Sequence, residues 1–245
     1  MSPHRTAVSL GALALVALSA ACSPGGLPDG YTSLCSDSGE LVLARGFRPA
    51  APVDFVGLRV ERTSPRAASA SDPIAPVGPQ QVAAWSARFV DSQGTLCGTA
   101  KDKAKCEQAV AAVRELGTTC QGLSIVPQAA AMEAPSIPQG TCETQYLLYT
   151  RGDEVGLVRN AREAIAFFGP IDSGEEAAYV ARAGGEALSC SGPTGSGAGY
   201  ASVAGGYNVA TGQRDCDGNE SGRIVQIATN GAPSVVEAGE TAVCR

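Results

Sequence analysis

Histidine is almost missing from this chain: among 245 residues the single one is His4, inside the leader described below. An exported chain without imidazole has no Ser-His-Asp or Cys-His nucleophilic machinery, no histidine proton shuttle and no His-ligated zinc or iron. Lysine is scarce as well. Lys101, Lys103 and Lys105 are the only three, and they crowd the exposed start of one predicted helix, a poor setting for a desolvated amine nucleophile. The net charge is −6, and loss of Arg5 with the leader makes it one unit more negative. Such a chain carries no basic footprint for nucleic acid and no polybasic patch for anionic lipid. No apolar run reaches the roughly 18 residues of a spanning helix. There is no Walker A sequence, and Gly195-Ser196-Gly197-Ala198-Gly199 lacks the spacing of a dinucleotide loop and opens no helix. Neither a metal nor an organic cofactor is therefore expected.

What the chain does have begins with an address. His4 and Arg5 precede an almost wholly apolar stretch, residues 7–21, that ends in small side chains, the pattern of a secretory signal. Leu18-Ser19-Ala20-Ala21-Cys22 resembles the lipobox of bacterial lipoproteins, in which the cysteine is acylated and becomes the first residue. The leucine here stands four places before the cysteine, and ordinary cleavage near Ala20 or Ala21 is the alternative. The resemblance implies lipidation at Cys22 and a membrane partner reached through acyl chains. The domain itself is then expected to be soluble, facing the periplasm or exterior, with an envelope protein or polysaccharide as partner and no nucleic acid.

Of nine cysteines, setting Cys22 aside leaves Cys35, Cys97, Cys106, Cys120, Cys142, Cys190, Cys216 and Cys244. An even set in an exported chain predicts four disulfides. Joining sequence neighbours gives Cys97–Cys106, Cys120–Cys142 and Cys190–Cys216, with Cys35–Cys244 tying the ends.

Residues 1–21 are thus read as signal and 22–34, rich in Gly, Pro and Ser, as lipidated cysteine and flexible tether. Residues 35–140 read as an N-terminal α+β subdomain. Strands are predicted at 40–45, 53–62 and 81–90, the last turning at 91–94 into 95–98; a Pro/Ala-rich loop spans 62–80. A helix capped by Thr99, with Asp102 three residues on, puts Cys106, Val110, Val113 and Leu116 on one face and stops at Gly117. A second Ala/Pro-rich loop covers 127–140. Residues 141–245 read as hairpin, two helices and meander. Strands 146–150 and 155–159 flank a turn at Gly152; Asn160 with Glu163 and Ser173 with Glu176 form capping boxes. Gly169-Pro170 separates the helices. A Gly-rich stretch, 192–206, follows Cys190, and its segment 195–199 reads as a flexible or bulged strand. Strands at 207–214, 223–229 and 234–243 then close the chain, with an Asn230-Gly231 turn. The fold class is α+β: antiparallel sheet with a few short helices on one side, disulfide-stabilised.

Carboxylates are the chemistry that survives. Asp37-Ser38-Gly39 and Asp172-Ser173-Gly174 resemble the D-S-G triplets of aspartic proteases, in which two aspartates share a proton. Asp37, however, follows Cys35-Ser36 where that family has an apolar strand, and Asp172 stands at a helix start, so a turn and a cap explain both. A glycosidase-like pair would be diagnosed only by its separation. Asp215-Cys216-Asp217-Gly218-Asn219-Glu220 differs from an EF-hand loop, with glycine fourth and Gln226 twelfth. Asn219-Glu220-Ser221 is a formal glycosylation sequon. Arg151-Gly152-Asp153 resembles the integrin-binding tripeptide, but a plain hairpin turn explains it.

The segment TRGDEVGLV, the later AFFGPIDSGEEA and the Cys97–Cys106 helix resemble uncharacterised predicted lipoproteins of GC-rich Gram-negative bacteria, over residues 97–190. That resemblance implies an envelope address and no particular mechanism. The expectation is an exported envelope lipoprotein, a binding or structural module and not an enzyme, with a carboxylate-based hydrolase as the alternative.

Overall fold

Alternation along one long strand sets the architecture. The computed structural model describes residues 27–65, 82–115, 142–188, 190, 197–214 and 220–237. Strand β2 (Phe55–Pro65) is flanked by β3 (Val82–Gly94) and β4 (Cys142–Arg151), and β4 by β5 (Glu154–Val158), in an antiparallel sheet of order β3-β2-β4-β5. Because successive side chains point to opposite faces, Val56 and Leu58 join one core cluster while Phe55 joins another. Helix α1 (Lys103–Ala112) lays Cys106 and Val110 on the Phe55 face, beside Tyr146 and Leu148. Against the opposite face lie α2 (Ala161–Phe168) and α3 (Gly174–Ala183).

Beyond these helices lies a second antiparallel sheet, β1-β6-β7-β8-β9, built from β1 (Thr32–Ser33), β6 (Gly199–Val203), β7 (Gly206–Arg214), β8 (Glu220–Ala228) and β9 (Pro233–Glu237). Leu58 and Leu147 of the first sheet, Tyr179 of α3 and Val209, Val225 and Ile227 of the second belong to one buried cluster. Phe47, Phe168 and Tyr179 form its aromatic centre, with ring centroids 5.0 and 5.9 Å from Phe47. At 25 cal/mol per Å², burial of each such side chain contributes about 1.5–3 kcal/mol. The class is α+β with antiparallel sheets, as the sequence predicts. Gly174 opens α3 under the Tyr200 ring, where a β-carbon would collide with the aromatic carbons.

Several local expectations are met. The hairpin β4–β5 turns at Gly152, whose φ of 55° is left-handed. Asn160 and Ser173 cap α2 and α3 by accepting from the Glu163 and Glu176 backbone N–H groups at 3.0 and 3.1 Å. The reciprocal glutamates reach one residue further back than a capping box predicts: Glu163 accepts from Arg159 N–H and Glu176 from Asp172 N–H. Strands β7, β8 and β9 form the meander, which β6 extends.

Others are corrected. No strand forms at 40–45: Leu41 makes a single bridge to Cys35, and Ala44–Gly46 is a 3-10 turn. The Asp91 carboxylate accepts from the Leu43 and Ala44 N–H groups, at 2.6 and 2.5 Å, taking the donors a ladder would use. The turn expected at 91–94 is strand, because β3 runs on to Gly94 opposite Phe55 with a bulge beside Leu58 and Arg59. Residues 95–98 are accordingly a turn, not a strand. Helix α1 is capped by Asp102, not Thr99, whose hydroxyl goes to Asp54. The fold starts before residue 35, since β1 pairs with β6 and Leu34 is buried. Nor does a boundary near 140 separate two sheets, because β2 and β4 lie on either side of it and are hydrogen-bonded neighbours.

Among the described residues two disulfides are in place. Cys97–Cys106 joins sequence neighbours as expected. Cys35 bonds Cys190, 155 residues away, which corrects both Cys35–Cys244 and Cys190–Cys216. Nearest-neighbour pairing fails there because the turn after β1 and the chain after α3 meet at one end of the fold. The loop expected at 62–80 begins later, because residues 62–65 belong to β2. Its remainder, the loop expected at 127–140, Leu116, Gly117, residues 215–219 and Cys22, Cys120, Cys216 and Cys244 lie outside the described residues; Cys142 begins β4.

Candidate functional site

The core stripe of β2 does not end in an apolar residue. Val56, Leu58 and Val60 share one face, and the next residue on that face is Arg62. Val60 pairs with Arg88 on β3 and Gln145 on β4, so a row of basic and polar side chains crosses the sheet where its helical cover stops. There the structure holds a cleft of about 260 Å³. Its floor is Leu58, Val60 and Val90; Leu41, Leu188 and the Cys190 end of the long disulfide wall it.

Each wall is fixed by identifiable bonds. The Ser36 N–H donates to the Glu40 carbonyl at 2.9 Å and the Glu40 N–H to the Ser36 hydroxyl at 3.1 Å, closing the turn that presents Glu40. From the last turn of α3, Arg182 donates to the Leu188 carbonyl at 3.3 Å, holding the chain beyond the helix against the opening. Arg88 and Glu40 face each other across the mouth, 3.4 Å apart, with 56% and 51% of their side chains exposed. The lining thus carries Arg62, Arg88 and Arg182 with one acid, Glu40.

The residues singled out by sequence are placed elsewhere. Asp37 tops the turn in which the Gly39 N–H donates to the Ser36 carbonyl. Asp172 precedes α3 and lies 3.9 Å from Arg48 on the surface. No hydrogen bond or ion pair joins the two aspartates, and they form no protease-like dyad. The buried carboxylates are used by the backbone. Glu176 accepts from the Arg48 and Asp172 N–H groups at 2.7 and 3.0 Å, and burial raises its pKa. Glu61 accepts from the Glu115 N–H and the Tyr146 hydroxyl and lies 3.3 Å from Arg59. Arg59 in turn donates to the Val110 and Val113 carbonyls at the end of α1, where a cation suits the helix dipole.

The Arg-Gly-Asp turn is engaged internally as well. Arg151 donates to the Pro52 carbonyl at 3.0 Å and stacks on Tyr149; the Gly152 N–H donates to Asp54; Asp153 accepts from the Lys101 N–H at 2.8 Å. The Thr99 hydroxyl, with the Gly152 N–H, holds the Asp54 pKa below its usual value despite the opposing cost of desolvation. Among the described residues no cluster of His, Cys, Asp or Glu could hold a metal ion, and no helix is long and apolar enough to cross a membrane.

The arginine row was missed by motif reading because its members come from β2, β3 and α3. One signal was available: Arg62 falls in register with Val56, Leu58 and Val60, where another apolar residue would extend the core. No protein-family model, curated protein or solved structure matches the chain, so its function rests on this geometry.

Proposed function

We propose that this protein is an exported, acyl-anchored envelope lipoprotein that binds a ligand in the arginine-lined cleft without transforming it. The cleft carries the reading: it is a concave, apolar-floored opening with a few converging polar groups, the usual form of a small-molecule site. The buried carboxylates Glu61 and Glu176 are taken up by backbone N–H groups and a tyrosine hydroxyl. The leader, the lipobox resemblance and a disulfide closing 155 residues support the oxidising address.

Two experiments test it. If Cys22 is acylated, Cys22→Ser shifts the protein's mass and moves it out of the membrane fraction; an unchanged mass and fractionation would remove the anchor from the proposal. Broad ester, peptide and glycoside substrates are expected to remain intact. Hydrolysis that disappears in Asp172→Asn would instead favour a carboxylate-based hydrolase.

A further inference from the structure

We infer that the ligand of this cleft is a small organic carboxylate with an apolar body, its head held at the Arg88 end and its body laid on Leu58, Val60 and Val90. The inference rests on the binding-module reading and adds the chemistry of what is bound. A volume of about 260 Å³ accommodates roughly ten to fifteen non-hydrogen atoms at the packing density of organic matter. The floor is aliphatic and the polar lining is dominated by guanidinium groups, whose planar forks match a carboxylate in two parallel hydrogen bonds.

Glu40 gives this inference its geometry. Its carboxylate already lies 3.4 Å from Arg88 at the mouth, so the chain itself supplies a stand-in for a carboxylate head. Both partners are more than half exposed, and pairs of that kind contribute little. An incoming carboxylate that also covers the aliphatic floor displaces Glu40 from Arg88, and Glu40 becomes an internal competitor that sets the affinity.

The test uses the oxidised chain and titration calorimetry at low salt, with octanoate, octanamide and inorganic phosphate as probes. Octanoate is expected to bind at least tenfold more tightly than either octanamide, which lacks the charge, or phosphate, which lacks the body. Arg88→Gln should weaken octanoate about tenfold, and Glu40→Gln should tighten it several-fold. A role in folding alone does not predict that tightening. Equal binding of octanoate and octanamide overturns the inference, as does equal binding of octanoate and phosphate, or a Glu40→Gln variant no tighter than the parent. Because both substitutions are at exposed positions, circular dichroism is expected to show the parent fold in each. The binding-module reading fails separately, if p-nitrophenyl octanoate is turned over, whatever the affinity for octanoate.

Discussion

Tyr179 reaches from α3 into the first sheet and donates its hydroxyl proton to the Val158 carbonyl, 2.6 Å away. The same oxygen accepts from the Leu147 N–H at 3.0 Å. Leu147 and Val158 face each other at the end of the β4–β5 ladder, so one phenol satisfies a donor and an acceptor that are buried where the strands part. Tyr179→Phe keeps the ring against Phe47 and Phe168 and leaves both backbone groups without this partner. A loss of about 2–4 kcal/mol is expected in urea unfolding; a variant within 0.5 kcal/mol of the parent, on the same order-of-magnitude scale, would show that water replaces the hydroxyl.

Burial also raises the pKa of Tyr179, and with the Glu61 carboxylate beside it that of Tyr146, above the ordinary value of 10. A folded-state pKa above the unfolded one means the native state keeps the proton longer. The stability tied to these phenols is intact below pH 10 and is lost as pH rises through the folded values. Alkaline unfolding followed by tyrosinate absorbance should therefore begin only above about pH 10 and show cooperative exposure of both rings. Gradual ionisation without unfolding would contradict it.

Glu176 should give the opposite end of the pH profile its slope. Its carboxyl pKa is raised above 4.5, chiefly by burial, so its contribution is greatest below the unfolded value and declines as pH climbs through the folded one. In Glu176→Gln that decline disappears. The amide places an NH₂ against either the Arg48 or the Asp172 N–H, and the variant is expected to be less stable at neutral pH by about 1–3 kcal/mol. Denaturant midpoints measured from about pH 3 to 7, from below the ordinary carboxylate value to well above it, check both features.

Removing one member of the Arg59–Glu61 pair strands the other in the core. Arg59→Leu or Glu61→Leu alone is expected to cost about 3–5 kcal/mol, while the double variant recovers part of that loss. A double-mutant cycle in chemical denaturation decides, and strictly additive losses would show that the two side chains act independently.

The two disulfides should differ in weight. On the chain-entropy account, the 155-residue closure by Cys35–Cys190 contributes about 5 kcal/mol and the nine-residue closure by Cys97–Cys106 about 3 kcal/mol. Replacing both cysteines of each pair with alanine, one pair at a time, should lower thermal midpoints in that order. The Cys35/Cys190 variant should also lose affinity for octanoate, because it loosens a cleft wall.

Local signals were legible in the sequence and distant ones were not. Gly152, Asn160, Ser173 and the Asn230-Gly231 turn act within a few residues of themselves, and the structure uses each as its chemistry suggests. The β2–β4 pairing and the Cys35–Cys190 bond join segments far apart in the chain. Loop closure grows costlier only slowly with length, so sequence proximity is a weak guide to either. The strand mistaken at 40–45 shows the same limit, since its backbone donors were claimed by Asp91, 47 residues from Ala44. At the cleft, Arg62 interrupts an otherwise apolar stripe, and only the folded chain brings it into one lining with Arg88 and Arg182.

The pairing of Thr32 and Ser33 with β6 sets a leash. With acyl chains on Cys22, no more than nine residues, Ser23 to Tyr31, separate the anchor from the sheet, a span of at most about 30 Å even at full extension. The second sheet's β1 edge would then stay within one small-domain diameter of the bilayer, and the protein would work on what lies close to its own membrane.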